Sequence, residues 1–334
     1  MKIFFRIYAG GKYGFGHAIR SIAIAKELVK RHPNLDLIFL LNNDSSFSDL
    51  INEGDLKKCP ILYQNDKSEE EFIVTALSNS QPDLLFIDTL YQYSLKEIIA
   101  FKERSKVVLF HNLTNGLLAA DLTILPIAHI HPSFYENPLF DLYGINLKYG
   151  AEFISLNPKV LEFEKRIVYH NKIKPIIGLT TGASDPEGVM LKLMDLVSLS
   201  KSNEFKFQFY IGREFLYRDM LKEKEEILTQ SNIDFQIVDF DIKNLIDCDL
   251  VISAFGVTNY ELMYIGIPVI TIAHSLQTAQ SAGILFNRYK KTINIGYWKD
   301  VSLNQFLNTI SEFKINSEVY FNNAAFWTKQ IDNK

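Results

Sequence analysis

The chain has 334 residues, about twice an ordinary domain, and its 47% hydrophobic and 22% charged residues exclude the disordered and fibrous classes. Lys and Arg number 35 against 39 Asp and Glu, so the net charge of −4 supplies no bulk positive field for nucleic acid or an anionic membrane. The two cysteines, Cys59 and Cys248, lie far apart and outside any CxxC or Cys/His cluster, which points to a reducing compartment. The N-terminal apolar run is cut by Arg6 with no cleavage site after it. No window approaches about 18 uninterrupted apolar residues, so the expectation is a cytoplasmic protein without membrane insertion.

In chain order, the apolar run at 2–7 is followed by a glycine loop and then by AIRSIAIAKELVKRH, with Ala18, Ile22, Ala25 and Val29 on one helical face. This strand, loop, helix theme recurs. Apolar runs at 37–41, ending at Asp88, ending at Asn112 and around Ile124 read as parallel strands buried on both faces. The intervening SFSDLINEGDLKK, SEEEFIVTALSNS and SLKEIIAFKER read as crossover helices, making the first half doubly wound α/β. Residues 127–149 carry prolines and tyrosines without a period and read as a long functional loop. A linking helix is expected around NPKVLEFEKRIVYH, and from about Lys172 the alternation restarts with PIIGLTT, KFQFYIG, DFQIVDF, DLVISAF and PVITIA. A closing helix is expected to bury Tyr320, Ala324 and Phe326 or Trp327. The expected domains are 1–165 and 172–315, each Rossmann-like and facing a central cleft, with 316–334 docking on them. Ligands are then expected at the carboxyl ends of the strands.

Three loops that follow strands carry candidate chemistry. The first is AGGKYGFGHAIR at 9–20, where Gly14 and Gly16 let backbone approach a ligand and the helix start offers N–H donors to an anion. It has neither the GxGxxG spacing with an acidic ribose clamp nor a Walker Lys-Ser/Thr, which lowers NAD and ATP as ligands. His17 falls at the helix start, where the dipole favours a neutral imidazole able to act as a base, although a capping or packing histidine fits the same position. The second loop, TTGASDPEG at 180–188, offers Gly182, Ser184 and Asp185. A good helix cap explains Asp185 and Pro186 equally well. In the third, Gly256, Val257 and Thr258 could hold a diphosphate and Glu261 both hydroxyls of a ribose, or the segment is an ordinary strand, helix, strand unit. His129 and His131 alternate without a Cys or Asp/Glu cluster, so no metal or other cofactor is expected.

GFGHAIR at 14–20, the SDP loop and GVTNYELMYIGIPVITIA at 256–273 together resemble the UDP-sugar hydrolase of pseudaminic acid biosynthesis and its spore-coat-polysaccharide relatives. These belong to the GT-B-like superfamily that also holds the MurG-type transferases. GAEFISLNPKVLE at 150–162 is similar to a further segment of that family, with Phe153 in place of its tyrosine. The resemblance implies hydrolysis of UDP-2,4-diacetamido-2,4,6-trideoxy-β-L-altropyranose to UDP and free sugar, by water attack with inversion and without metal. It implies His17 as the base, the 256–258 turn on the diphosphate, Glu261 on the ribose, and Gly14 and Gly16 close to sugar or phosphates. Arg20, Asp88, Tyr91 and Gln277 join the expected substrate contacts. The chain departs from the family at Leu276, where asparagine is usual, and at His111-Asn112, where relatives show paired aspartates. The alternative is a glycosyltransferase that directs an acceptor hydroxyl to the same sugar. The mixed or acidic character of SFSDLINEGDLKK and SEEEFIVTALSNS favours the hydrolase over a transferase on lipid-linked acceptors. A non-catalytic nucleotide-sugar binder is the third reading.

Overall fold

The computed structural model describes residues 1–8, 16–43, 56–126, 134, 137–150, 153–166, 172–289 and 293–332. The chain divides into two compact units, Met1–Asn157 and Pro158–Lys334.

The N-terminal unit holds seven strands: β1 (Lys2–Ile7), β2 (Asp36–Leu41), β3 (Ile61–Tyr63), β4 (Leu84–Asp88), β5 (Lys106–Phe110), β6 (Leu122–Leu125) and β7 (Leu147–Tyr149). They form one sheet in the order β3-β2-β1-β4-β5-β6-β7, every neighbouring pair parallel. Side chains alternate across a strand, and here both faces are covered, which is why the strands read as unbroken apolar runs. Ile3, Phe5 and Ile7 join Phe39, Phe86 and Phe110 under Ala18, Ile22 and Ala25 of α1 (Gly16–Arg31). Phe4, Leu85, Ile87 and Leu109 face the other way. They pack on Phe72, Ile73 and Leu77 of α2 (Glu69–Ser80) and on Ile98 and Phe101 of α3 (Leu95–Lys102). Ser68 caps α2, and Ser94 with Glu97 forms a capping box on α3.

Arg6 breaks the apolar rule on the second face while being fully buried. Its Nε donates to Glu69 Oε1 at 2.8 Å, Nη1 donates to the Leu40 carbonyl at 3.2 Å, and Nη2 reaches both Glu69 and Gln64. The hydroxyls of Tyr8 and Tyr93 donate to the same carboxylate. The guanidinium also lies 5.1 Å from the Phe72 ring centroid. Every strong donor and acceptor in this buried group is matched, the condition under which a charge tolerates burial.

The C-terminal unit repeats the plan with β8 (Ile176–Thr180), β9 (Lys206–Ile211), β10 (Phe235–Asp239), β11 (Leu250–Ala254), β12 (Val269–Ala273) and β13 (Ile293–Tyr297). The order is β10-β9-β8-β11-β12-β13, again wholly parallel. Its core joins Ile177, Leu179, Phe207, Phe209, Ile252 and Ile270 to Leu193 and Val197 of α6 (Val189–Ser200) and to Phe306, Ile310 and Phe313 of α10 (Leu303–Asp332). Asn316 interrupts α10 with φ −116° and ψ 28°. Beyond it Tyr320 and Ala324 are buried as expected, whereas the side chains of Phe326 and Trp327 lie outside the described set.

Three expectations are corrected. The linking helix at 157–170 is only α5 (Pro158–Leu161) among the described residues. Arg166 lies in irregular chain, its N–H bonded to the Ile265 carbonyl at 2.7 Å and its guanidinium to the Cys248 carbonyl and to Asp249 at 2.9 Å. Those tertiary bonds outweigh a modest helix propensity. The stretch at 127–149 contains α4 (Pro138–Leu142), capped by Asn137, and the edge strand β7. β3 and β13 were likewise absent from the pattern. β3 and β7 have three residues each, too few to show a period, and Gly296 sits inside β13. The proposed crossover helix at 46–58 falls mainly outside the described residues.

Candidate functional site

In both sheets the strand order reverses beside the first strand: between β1 and β4 in the N-terminal unit, and between β8 and β11 in the C-terminal unit. Ligands of doubly wound sheets lie outside the carboxyl ends of strands at such switch points.

At the first switch point, His17, Arg20 and Ser21 occupy positions i, i+3 and i+4 of α1, a spacing that stacks them on one helix face. All three turn toward Asp88, the last residue of β4, whose side chain is fully buried. Arg20 Nε donates to Asp88 Oδ2 at 2.6 Å, Nη2 closes the fork on Oδ1, and the Ser21 hydroxyl donates to Oδ2 at 3.0 Å. His17 Nδ1 lies 2.6 Å from Asp88 Oδ1. Burial works against the charge of Asp88. The adjoining Arg20 guanidinium, its hydrogen bonds and that of His17 outweigh burial and hold the carboxyl below the usual carboxylate range. The guanidinium also packs 5.5 Å from the Phe110 ring centroid and reaches His111 Nδ1 at 2.9 Å. His111 follows β5, has φ 53°, and donates its backbone N–H to Ile124. A non-glycine residue in that region carries strain of about 1–3 kcal/mol, which persists where surroundings over-determine it.

Nδ1 of His17 lies between an acceptor and a donor. Arg20 Nη2 is 2.7 Å from the same nitrogen, which either carries a proton or offers a lone pair but never both. Asp88 is ionised, so a lone pair on Nδ1 would face an anionic oxygen at 2.6 Å. A proton on Nδ1, donated to Asp88, leaves the lone pair on Nε2, whereas a lone pair on Nδ1, accepting from Arg20, leaves the proton on Nε2. In the first of these states His17 can act as a base through Nε2.

Of the other expected contacts in this unit, Gly16 begins α1 and a Cβ there would meet nothing within 4 Å, while Gly14 lies outside the described residues, as do His129 and His131. Tyr91 does not join the cluster. Its hydroxyl donates to Glu97 at 3.0 Å, and its carbonyl accepts from the Asn112 amide. Sequence reasoning missed Ser21 and gave His111 no role. The usable signals were the i, i+4 spacing from His17 and a histidine directly after a strand.

In the C-terminal unit the candidate loops follow the paired strands β8 and β11, with Thr180 opposite Ser253. Gly182 has φ 87°, a left-handed conformation that favours glycine. The carbonyls of Ala183 and Ser184 accept N–H groups from Glu214 and Leu216. Asp185 serves the fold directly: its Oδ1 accepts from Val189 N at 3.0 Å and its Oδ2 from Met190 N at 2.7 Å, capping α6. Burial raises its carboxyl despite those bonds, and burial lowers the neighbouring His274 imidazole despite Asp185 and Glu187.

α8 (Val257–Ile265) is preceded by Gly256, whose backbone is extended and where a Cβ would meet only the Ala254 carbonyl oxygen, at 4.0 Å. Asn259, buried at 1% exposure, accepts the Gly256 N–H at 2.9 Å and donates to Thr271 at 3.2 Å, so it holds the strand-to-helix turn. The N–H groups of Val257 and Thr258 belong to the first turn, which has no intrahelical partners for them. Glu261 lies one turn on and is largely buried. Gln277 is exposed in the first turn of α9 (Leu276–Tyr289), beside Leu276 at 66% exposure. Among the described residues no cluster of three His, Cys, Asp or Glu has metal-binding geometry, and no helix is long and apolar enough to cross a membrane.

Two parallel-sheet Rossmann-like α/β units of this kind are the fold of the GT-B glycosyltransferases. The match runs the length of the chain. MurG of Acinetobacter baumannii aligns with a TM-score of 0.70 at 12% identity, covering 99% of this chain and 94% of that one. The spinosyn rhamnosyltransferase SpnG gives 0.63 at 11% identity, over 99% and 96%. Anabaena HepE in complex with UDP-glucose gives 0.58 at 16%, over 99% and 95%. No family model matches the sequence. An uncharacterised protein of Methanocaldococcus jannaschii is 26% identical over 284 residues, which is 81% of this chain; the chain thus spans about half, 55%, of that relative's length.

Proposed function

We propose that the protein is a nucleotide-sugar-dependent glycosyltransferase, with His17 in the N-terminal unit activating an acceptor hydroxyl and the C-terminal unit binding a UDP-sugar. The observation that carries this reading is the His17–Asp88 pair at the first switch point. His17 takes the hydroxyl proton as the oxygen bonds to the anomeric carbon, and the glycosyl C–O bond breaks with its electron pair leaving on UDP. Backside attack inverts the anomeric centre. A positioned general base of this kind is worth about 10²–10⁴-fold. Val257 and Thr258 stabilise the departing diphosphate and Glu261 accepts the ribose hydroxyls. The reading is supported by structural neighbours that are glycosyltransferases and by the UDP-glucose complex of HepE.

A second reading is favoured by GFGHAIR and the GVTNYELMYIGIPVITIA segment: water replaces the acceptor, and UDP-2,4-diacetamido-2,4,6-trideoxy-β-L-altropyranose is hydrolysed. Both readings are tested by incubating the protein with a panel of UDP-sugars, that compound included, in ¹⁸O-water with and without sugar acceptors, and following products by mass spectrometry. UDP release that requires an acceptor, with no ¹⁸O in the product, is the expected result. Acceptor-independent release with ¹⁸O in the sugar establishes the hydrolase. No release from any UDP-sugar, with no UDP binding by calorimetry, refutes both.

A further inference from the structure

We propose that a cavity on the N-terminal unit, away from His17 and Asp88, binds a pyranose ring of a glycan, with Tyr143 as its stacking platform and Lys102 and Asp121 as its hydroxyl partners. The cavity has a volume of about 410 Å³, inside the range of about 300–1,000 Å³ for small-molecule sites. It is walled by Ile99 and Lys102 of α3, by residues 118–121 ahead of β6, and by residues 143–145 between α4 and β7. These segments lead into the amino ends of parallel strands, whereas Asp88 closes the carboxyl end of β4. The two places are therefore separated by about the length of a five-residue strand, about 17 Å.

The walls have the chemistry that suits a neutral polyol with one apolar face. α4 buries Phe140, and its C-cap Tyr143 stands 60% exposed at the cavity. An aromatic ring presents a negative face, on which the weakly positive C–H groups of a pyranose stack. In the same cavity Lys102 Nζ lies 3.2 Å from Asp121 Oδ1, the side chains 36% and 34% exposed. Asp121 is fixed in place, its Oδ2 accepting the Val107 N–H at 2.8 Å and its carbonyl the Asn146 amide at 3.3 Å. An ammonium has three donors and a carboxylate about four lone-pair sites, so the ion pair leaves both groups able to engage further hydroxyls. Two hydroxyls on adjacent ring carbons fit them, one accepting from Lys102 and the other donating to Asp121. The pair sums to zero charge, and its carboxylate disfavours a phosphate or a nucleotide. An acyl chain is disfavoured as well, because it would take water from both charges without replacing their hydrogen bonds. Ala119, Ala120 and Gly144 are small and leave room for a ring. Glycan binding here needs no catalysis; only its use, to retain an acceptor chain during transfer, rests on the proposed function.

The test is saturation-transfer NMR and calorimetry on the full chain, with cellobiose, maltose, lactose and N,N′-diacetylchitobiose as probes. At least one of the four is expected to bind with a Kd of about 0.1–10 mM, unaffected by UDP. Tyr143→Ala and Lys102→Met should each weaken that binding about tenfold or more, while Tyr143→Phe, which keeps the ring, should stay within about twofold of the parent. Circular dichroism melts check that each variant folds, and His17→Gln should bind the disaccharide unchanged. Binding of none of the four, or binding that survives Tyr143→Ala, overturns the proposal. So does binding lost in His17→Gln or displaced by UDP, which would place the sugar at the carboxyl edge of the sheet. A Tyr143-dependent dimer in sedimentation velocity, or Tyr143-dependent attachment to phosphatidylcholine–phosphatidylglycerol vesicles, in place of sugar binding gives the face another occupant and overturns it too. Because these measurements need no UDP-sugar, failure of every transfer assay would refute the proposed function and leave glycan binding standing.

Discussion

Replacing Asp88 by asparagine is the most informative single perturbation of this protein. The substitution conserves shape but removes a fully buried charge that accepts from Arg20, His17 and Ser21. Arg20 then remains almost buried without its counter-charge, a situation that costs about 3–5 kcal/mol when one partner of a buried pair is deleted. At about 2–4 °C per kcal/mol for a unit of this size, the N-terminal unit should melt roughly 6–20 °C lower at pH 7. The pH dependence has a defined sign. The folded carboxyl lies below its ordinary range, so the charge contributes fully above the unfolded value of about 3.9 and is lost progressively as pH falls from there through the lower folded value. The gap between variant and parent should therefore hold from pH 8 to about pH 5, narrow progressively below it, and close only once the pH has passed below the folded value. Circular dichroism melts across pH 3–8 test this, and turnover, once a substrate is known, should fall about 10²–10⁴-fold as His17 loses its carboxylate partner. Equal melting of the two proteins at pH 7, or a gap that widens on acidification, refutes the assignment of Asp88 as the ionised anchor.

Gly266→Ala should destabilise the C-terminal unit by at least about 1–3 kcal/mol in urea titrations, because Gly266 has φ 91° and a Cβ would overlap the Arg166 carbonyl oxygen. Gly256→Ala, with extended backbone and only an ordinary 4.0 Å contact to the Ala254 carbonyl oxygen, should stay within about 0.5 kcal/mol of the parent while weakening UDP binding measured by calorimetry. Glu69→Gln should cost about 3–5 kcal/mol by stranding Arg6, and the double variant Arg6→Met, Glu69→Met should be more stable than Glu69→Gln alone. Burial pushes the Cys248 thiol up to about 12, so at pH 8 roughly one part in ten thousand is thiolate. A thiol-reactive dye should then titrate at most Cys59 in native protein and both cysteines only in denaturant.

Strands buried on both faces were legible because their apolar runs have no polar alternation to hide them; β1, β4, β8 and β11, the strands that flank both switch points, are of this kind. The short edge strands were not, since β3 and β7 bury little and carry no period. The irregular path near Arg166 was also invisible, being decided by bonds to Ile265, Cys248 and Asp249, roughly 80 to 100 residues away in sequence. Within the candidate site, His17 stood out by its place after a glycine loop, and Arg20 and Asp88 by motif. Their mutual hydrogen bonds could not be read, because nothing local joins α1 to the end of β4. The alternative recorded for Asp185, a helix cap, accounts for both of its oxygens.

The buried Arg6 has a consequence for folding as well as for stability. A one-residue slip of β1 against its neighbours would carry its side chain to the opposite face, into the cluster of Phe39, Phe86 and Phe110. There it would meet aromatic and aliphatic groups, and Glu69 would be stranded among Phe72 and Tyr93. Each misaligned pairing would then hold two unmatched charges in place of one neutralised pair. A strand of Phe and Ile alone could slide between nearly equivalent registers. Arg6 makes those registers unequal, and so the position of β1, on which the loop leading to His17 begins, is selected by charge as much as by apolar fit.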